Sequence, residues 1–422
     1  MKVYSSLVSD VLLPEMVKVR QIFERPVIKD IEQELHAQLS RESINSLIKK
    51  DTRIALTCGS RGVANIALIL KIVAKICREK GAKPFIVPAM GSHGGATAEG
   101  QCQILGSYGV TEDECGCPIM ATMETKQIGE AGGYPVLIDR YAGEADGIIV
   151  IGRIKPHTCF RGEYESGLMK MMAVGLGKQE GAGLCHVSGF RNIHTMIPLL
   201  GNAILDNAPV LFGIGLVENA YDETALIRAL LPDEIRTEEP KLLETAKSLI
   251  GQIYLKDVDV LVIDRIGKNI SGDGADPNVT GRYGTPYASG GLAPQSMVVL
   301  DLTDETHGNA NGLGLFDATT ERLYRKINFD TMYPNSITTK ILHMLKIPMV
   351  MENDRDCIAV ALKSCIDIDH SNPRIVRIRD TMALEYIWVS TALLPYVREN
   401  RQLEIVGSPE PFCFDSSGNL CV

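Results

Sequence analysis

Two of the eight histidines, His93 and His157, have the sequence context expected of acid–base residues. Each follows an apolar segment that predicts a buried strand, 84–90 in one case and 147–151 in the other. In a sheet of parallel strands, the loops after such strands share one edge, where ligands bind. Because imidazole titrates near neutral pH, two histidines at that edge suit paired acid/base work. The alternative for each is a histidine that only hydrogen-bonds its own loop.

The segment 153–186 carries further reactive side chains on a glycine-rich backbone. Lys170 stands among apolar residues at helical spacing, where an amine either serves as a nucleophile of lowered pKa or extends past the core to solvent. His186 suits a metal ligand or a helix terminus. Glu163 and Glu165 flank one tyrosine, so in an extended loop both carboxylates would point the same way, toward a metal, an acid–base site or solvent.

Arg61 and Lys268 are the candidates for holding an anionic group. Each lies in a glycine-rich loop after a predicted strand. A guanidinium in such a loop can hold a carboxylate or a phosphate bidentately, and the alternative for both residues is an ordinary surface cation. Neither loop has the spacing of a dinucleotide-binding or Walker A motif, and the chain has no Gly-x-Ser-x-Gly elbow, which argues against a serine hydrolase.

The composition narrows the class of protein. The 422 residues carry a net charge of −9 without a basic tract, which argues against nucleic-acid binding. The first residues lack the apolar core of a signal peptide, and lysines interrupt the longest apolar helical stretch, so we expect no membrane-spanning segment. The eleven cysteines are scattered, which favours reduced thiols in a cytoplasmic protein over a disulfide or zinc framework.

Strands, glycine turns and helices alternate along the chain and predict an α/β fold with predominantly parallel sheets. A helix at 239–253 ends the first series, and a strand near 258 begins a second. We therefore expect two α/β domains, 1–254 and 255–422, with an active-site cleft between them. The predicted strands are 53–58, 84–90, 119–122, 135–139, 147–151, 209–217, 258–264, 297–302 and 403–406.

The histidine loops resemble those of the lactate racemase family, the nickel-pincer-nucleotide hydroxyacid racemases and epimerases. The family's first histidine lies in a pattern like T-G-x-H-R, to which residues 90–94 (MGSHG) are similar. Its second histidine follows an E-A-D sequence, as residues 154–157 (IKPH) follow 144–146 (EAD) here. The resemblance covers most of the chain in the order of its elements. It implies two α/β domains with the site between them.

The resemblance also implies roles for individual residues. His93 and His157 would be the acid–base pair, and Lys170 would bond covalently to the pincer cofactor. His186 would bind the nickel, because it lies sixteen residues after Lys170, the spacing found in the family.

Arg61 would hold the substrate carboxylate, and Lys268 and Asn269 would form a second-domain loop that contacts cofactor or substrate. Four features depart from the family pattern. Gly94 stands where the family has an arginine after its first histidine, and Arg61 lies slightly off the family's position. The other two concern the segment after His157. The spacing from His157 to Lys170 is three residues longer, and Glu-Ser-Gly-Leu-Met-Lys stands where the family has Ser-Gly-Gly-Arg-Lys.

The implied function is that of an isomerase, a racemase or epimerase of a small 2-hydroxy acid that removes and returns a hydride. One alternative keeps the fold and uses a divalent metal such as zinc, bound by a histidine with Glu163 or Glu165, without a pincer nucleotide. Another is a non-catalytic carboxylate-binding relative. A homo-oligomer is compatible with the sequence, and no membrane partner is expected.

Overall fold

The computed structural model describes residues 3–187 and 189–421, which form two compact units. The first, here called the histidine unit, comprises residues 25–250. The second, here called the terminal unit, combines residues 3–24 with residues 251–421. The described residues contain no helix long and apolar enough to cross a lipid bilayer.

The elements are numbered in chain order. The strands are β1 (Met16–Gln21), β2 (Arg53–Cys58), β3 (Lys83–Pro88), β4 (Thr125–Ala131), β5 (Tyr134–Asp139), β6 (Gly147–Arg153), β7 (Val210–Glu218), β8 (Thr224–Leu230), β9 (Val260–Ile266), β10 (Ser296–Leu302), β11 (Ala318–Thr320), β12 (Met349–Met351), β13 (Ile375–Ile378), β14 (Tyr386–Ser390) and β15 (Leu403–Ile405). The α-helices are α1 (Val3–Ser6), α2 (Ile31–Leu39), α3 (Glu42–Asn45), α4 (Ile66–Glu79), α5 (Ala98–Ser107), α6 (Glu112–Cys115), α7 (Arg140–Gly143), α8 (Leu168–Lys170), α9 (Lys178–Val187), α10 (Ile193–Asn207), α11 (Pro232–Leu249), α12 (Pro277–Thr280), α13 (Glu321–Lys326), α14 (Phe329–Thr339), α15 (Asp354–Ser364) and α16 (Leu394–Glu399).

The histidine unit is built on a five-stranded sheet in the order β3-β2-β6-β7-β8. The first four strands are parallel, and β8 returns antiparallel to β7. β2 and β6 are buried along almost their whole length, which explains their unbroken apolar sequences. Helix α4 covers the sheet with one long apolar face. The separate hairpin β4–β5 packs against α9 and α10.

The terminal unit contains an eight-stranded sheet in the order β12-β11-β10-β9-β13-β14-β1-β15. The strands from β12 to β13 are parallel, whereas β14, β1 and β15 pair antiparallel. The prediction of a mixed α/β fold with predominantly parallel sheets is confirmed.

The observed division of the chain differs from the predicted domains 1–254 and 255–422 in one respect. Strand β1 lies between β14 and β15, so the first residues are part of the terminal unit. The predicted domain 1–254 included this segment. Its partners lie more than 360 residues away, and a lone strand carries no sign of so distant a pairing. The predicted strand 119–122 forms only an isolated bridge between Ile119 and Ile86.

A buried ion pair joins the layers of the histidine unit. The ammonium of Lys178 lies 2.9 Å from the carboxylate of Asp139, and both side chains are fully buried. Burial lowers the pKa of Lys178 and raises that of Asp139, and the attraction between the two charges opposes both shifts. The same ammonium donates to the carbonyl of Pro88 (2.5 Å) and to the Gln101 amide oxygen (3.2 Å). The pair therefore connects β3, α5, β5 and the start of α9.

Replacing Lys178 with methionine should destabilise the protein by about 3–5 kcal/mol, because the Asp139 carboxylate then stays buried without its counter-ion. Denaturant unfolding monitored by circular dichroism measures the loss. The double variant Lys178→Met/Asp139→Leu should be more stable than the single variant, since no unpaired buried charge remains.

Lys71→Met is the matched control. Lys71 pairs with Glu114 at 3.0 Å, and both side chains are about half exposed, so its loss should cost at most ~1 kcal/mol. If Lys178→Met and Lys71→Met lost equal free energy of unfolding, burial of the Lys178–Asp139 pair would not explain its contribution to stability.

Candidate functional site

The first candidate histidine, His93, lies in the loop that follows β3. Its Nδ1 hydrogen-bonds with the hydroxyl of Ser60, which lies in the loop after the neighbouring strand β2. The Gln101 side chain donates to the carbonyls of His93 (3.3 Å) and Gly91 (3.0 Å). Gly91 has φ +58° and donates its N–H to the carbonyl of Gly175. The loop is therefore fixed on both sides. It follows β3 and lies at the same edge of the sheet as the loop after the parallel strand β2.

His157 follows β6 in a loop that folds back on itself. An antiparallel bridge between Lys155 and Ser166 closes the loop through two backbone hydrogen bonds of 2.9 and 3.2 Å. Inside it, the Glu165 carboxylate accepts the His157 N–H at 2.7 Å, and Arg161 donates to the His157 carbonyl at 2.6 Å. The backbone of His157 is thus held at both its N–H and its carbonyl.

The imidazole of His157 is neutral at pH 7 and has a defined tautomer. Burial lowers its pKa well below 6.5, and the positive charges of Lys170 and Lys155 lower it further. The N–H of Cys159 donates to Nδ1 at 3.0 Å. Because Nδ1 accepts this bond, the single proton of the neutral ring lies on Nε2, which becomes a hydrogen-bond donor.

Lys170 lies at the end of α8, where the chain continues as a π-helical turn, Met171–Leu176. Burial lowers its pKa to about 8, and the nearby charges of Arg61 and Lys155 contribute to the shift. Within residues 3–187 and 189–421, no group forms a hydrogen bond or salt bridge with its ammonium. An amine with these properties is partly unprotonated near neutral pH and available as a nucleophile.

The aromatic ring of Phe190 lies near both His186 and His157. His186 lies near the end of α9, with its ring 5.2 Å from that of Phe190. Phe190 in turn lies 6.3 Å from the His157 ring. The charge of His186 also contributes to the lowered pKa of His157. The structure therefore brings His157, Lys170 and His186 together, with the exposed Arg61 within electrostatic reach of Lys170.

The two glutamates of the loop are in opposite environments. Glu163 is exposed, whereas the Glu165 side chain is fully buried. Glu165 lies 3.4 Å from Arg161 and 3.1 Å from Lys247 of α11, in addition to its bond with His157. Its negative charge is thus balanced by two cations. The two carboxylates do not form the parallel pair that an extended loop would give.

A metal bound by protein side chains alone is not supported by the geometry. Among residues 3–187 and 189–421, no group of three or more His, Cys, Asp or Glu side chains is arranged to hold an ion. One histidine can complete the coordination of a metal whose other ligands come from a bound molecule. His186 and Lys170, one imidazole nitrogen and one amine, are a donor set of this kind.

Lys268 and Asn269 lie in the terminal unit, in the loop after β9. The Lys268 ammonium donates to the carbonyl of Gly272 at 2.6 Å, and the Asn269 amide oxygen accepts from the Thr303 hydroxyl at 2.7 Å. Lys268 thus bonds within its own loop, and Asn269 bonds to the loop after β10. Their predicted contacts with cofactor or substrate stay predictions.

Glu239, which the sequence did not identify as a site residue, binds the backbone of α8 next to Lys170. Glu239 of α11 is almost completely buried, and its carboxylate accepts the N–H of Met169 at 3.0 Å. A Cβ at Gly167 would collide with the Glu239 carboxylate, so any other residue there would have to displace this side chain. Burial raises the pKa of Glu239 to about 8. Glu239 precedes a proline inside α11, and nothing in the sequence indicates that it caps another helix, α8.

Residues 2–192 match the family model described as the lactate racemase N-terminal domain. Among solved structures, the lactate racemase apoprotein from Thermoanaerobacterium thermosaccharolyticum is similar, with a TM-score of 0.53 and 15% identity over 87% of this chain and 99% of that one. A Thermotoga maritima protein from a structural genomics programme has a TM-score of 0.49 and 12% identity over 86% and 99%. At these identities the likeness concerns the fold. No curated protein matches the chain.

The amine of Lys170 should titrate near pH 8, so about half of it is unprotonated there, against under ~1% for an ordinary lysine. Trace acetylation across a pH series, read by peptide mass spectrometry, measures the midpoint with exposed lysines as internal references. In Arg61→Gln the midpoint should rise, since a neighbouring positive charge is removed. A midpoint above pH 10 in the unmodified protein would contradict the burial of this amine.

The carboxyl of Glu239 should make stability depend on pH. Its pKa in the folded protein lies above its unfolded value of 4.5, so the folded state binds more protons and stability falls as pH rises from about 5 to 8. Glu239→Gln removes this dependence and keeps an oxygen that accepts the Met169 N–H. Relative to the variant, the wild type should lose up to about 1 kcal/mol per pH unit in urea unfolding. A difference that stays constant from pH 5 to 8 would show that Glu239 is ionised throughout.

Proposed function

We propose a function for this chain from one premise: its residues 2–192 match the model of the lactate racemase N-terminal domain. The chain is accordingly of the racemase and epimerase type, and we infer that it interconverts the two configurations of a small 2-hydroxy acid. The observation that carries the proposal is Lys170, a partly unprotonated amine close to His157 and sixteen residues before His186.

Lys170 and His186 would hold the nickel-pincer nucleotide of the family. The lowered pKa of Lys170 suits a covalent bond to such a cofactor, because only the neutral amine is nucleophilic. His186 would supply a nitrogen ligand to the nickel. When bound, this cofactor supplies a hydride acceptor and donor for the C2 carbon of the substrate.

The remaining steps belong to side chains of the protein. A 2-hydroxy acid that loses a hydride from C2 must lose its hydroxyl proton as well, and the product is a 2-keto acid. We assign that proton to His93 and His157, which act from opposite faces, so that return of the hydride on the other face inverts the configuration. The cations Arg61 and Lys155 would attract and hold the carboxylate. The roles that the resemblance implies for Lys268 and Asn269 stay predictions.

The burial of this region favours the reaction in a further way. His157 is kept neutral by burial and by nearby cations, so its Nε2–H can donate to the substrate oxygen without carrying a charge that would bind the carboxylate instead. The cytoplasmic location expected from the sequence stays a prediction, and the sequence leaves the oligomeric state open.

The proposal is tested with protein produced together with the machinery that synthesises the cofactor. The wild type should gain mass on the Lys170 peptide, contain nickel and interconvert the enantiomers of a 2-hydroxy acid in chiral chromatography. Lys170→Arg should lose the added mass, whereas His186→Ala should keep it and lose nickel. His93→Asn and His157→Asn should keep both and lose about 100-fold or more in rate.

The alternative functions predict other outcomes. Zinc or another metal on a protein with unmodified Lys170 would overturn the pincer assignment and favour the metal-dependent relative. Absence of any metal, together with unchanged carboxylate affinity in the His93→Asn/His157→Asn double variant, would favour a non-catalytic binding protein. Circular dichroism of each variant shows whether it is folded.

A further inference from the structure

The exposed cysteines of the chain form a pair. All eleven cysteines lie in the described residues, and eight of them are buried. Cys102 has intermediate exposure, which leaves Cys413 and Cys421 as the exposed thiols. Both belong to one segment near the end of the terminal unit, far in sequence from the histidine loops.

The segment 413–421 is a small antiparallel hairpin that sets these two cysteines opposite each other. Phe414 bridges Leu420 across the hairpin. The Cys421 N–H donates to the Cys413 carbonyl at 2.9 Å, and the Asp415 N–H donates to the Asn419 carbonyl at 2.8 Å. Residues paired in this way have Cα atoms about 5.5 Å apart and side chains on the same face. That separation lies within the range that a disulfide spans.

The thiols are in contact as well as opposite. A hydrogen bond between the two sulfur groups raises the pKa of Cys421, and burial adds to the shift. Phe414 and Leu420, whose side chains alternate with those of the cysteines, pack against the core of the terminal unit. The cysteines consequently point away from that core, toward solvent.

Contacts around the hairpin hold this geometry before any covalent bond forms. The Asp415 carboxylate accepts the N–H groups of Ser417 (2.8 Å) and Asn419 (2.9 Å) and fixes the turn. The Leu420 N–H donates to the Asp354 carboxylate at 2.9 Å, at the start of α15. The hairpin is therefore fixed in its own turn and against a buried helix start.

We propose that Cys413 and Cys421 form a reversible disulfide, which makes the C-terminal hairpin a site of redox modification. The oxidant is a small disulfide of the glutathione type. The thiolate of one cysteine attacks it, forms a mixed disulfide and releases one thiol; the second thiolate then displaces the other. Two protein thiols and one small disulfide thus become one protein disulfide and two small thiols. The inference is independent of the proposed function.

The bond would lock the hairpin against the start of α15. In the reduced protein the two strands are joined by a few backbone hydrogen bonds, which open locally and allow amide exchange. Once the bond forms, opening requires the ring of residues 413–421 to move as one body. Oxidation should slow amide exchange of Leu420 and Cys421 by about 10-fold or more.

The test uses the full chain, incubated with oxidised glutathione and digested without reduction. The tryptic peptide 402–422 contains these two cysteines and no others, so the disulfide lowers its mass by about 2 Da. Cleavage before Asp415 then yields two fragments that separate only after reduction. Cys413→Ser and Cys421→Ser should each keep a glutathione adduct on the remaining cysteine, because no second thiol displaces it.

Two outcomes would overturn the proposal. One is a wild-type peptide that keeps free thiols while Cys102 or a buried cysteine reacts. The other is a peptide that carries glutathione on both cysteines, since neighbouring thiols would then have failed to resolve the adduct. Either result is read directly from the mass and needs no enzymatic activity.

Discussion

The buried pair of Lys178 and Asp139 determines how the loops of the histidine unit can be arranged. Its ammonium also binds Pro88 at the end of β3 and Gln101 of α5, and Gln101 holds the His93 loop. Lys178 has φ +53° and begins α9, the helix that ends just after His186. A buried charge without a partner is expensive, so the four elements have to meet at this one point. The arrangement fixes both a candidate base and a candidate metal ligand relative to the sheet.

A second constraint is that the buried acidic side chains near the His157 loop already have partners. The chain has a net charge of −9, yet two buried acids of this region are already engaged: Glu165 with Arg161 and Lys247, and Glu239 with the backbone of α8. Burial lowers the pKa of Lys170, and the positive charges of Arg61 and Lys155 add to the shift. An anion near Lys170 would meet the positive charges of Arg61 and Lys155 in a protein of net charge −9. Helix α11 contributes to both arrangements, because it supplies Lys247, which pairs with Glu165, and Glu239, which binds the backbone of α8.

The sequence predicted the parts of the fold that depend on local patterns. β2 was predicted at its observed residues, and β3, β6 and β9 within a few residues, because buried parallel strands are continuous apolar segments. The same reasoning placed His93 and His157 in loops after strands. Contacts between residues distant in sequence were not predictable in this way. β1 joins partners near the other end of the chain, and Glu239 caps a helix 70 residues earlier. For Lys170 the sequence left two alternatives, a lowered pKa or a side chain that reaches solvent. Burial in the folded protein favours the lowered pKa.

The two histidines, similar in sequence context, differ in chemistry once their partners are known. Nδ1 of His157 faces an N–H of Cys159, which can only donate, so the ring carries its proton on Nε2. For His157 to accept a proton at Nε2, the bond from Cys159 must break or the ring must turn. Nδ1 of His93 faces the Ser60 hydroxyl, which can donate or accept, so either tautomer keeps its hydrogen bond. His93 can therefore change its protonation without moving its loop, whereas proton transfer at His157 is coupled to a backbone contact. A cycle that needs both residues as bases would require the His157 loop, and with it the Glu165 network, to adjust in each turnover.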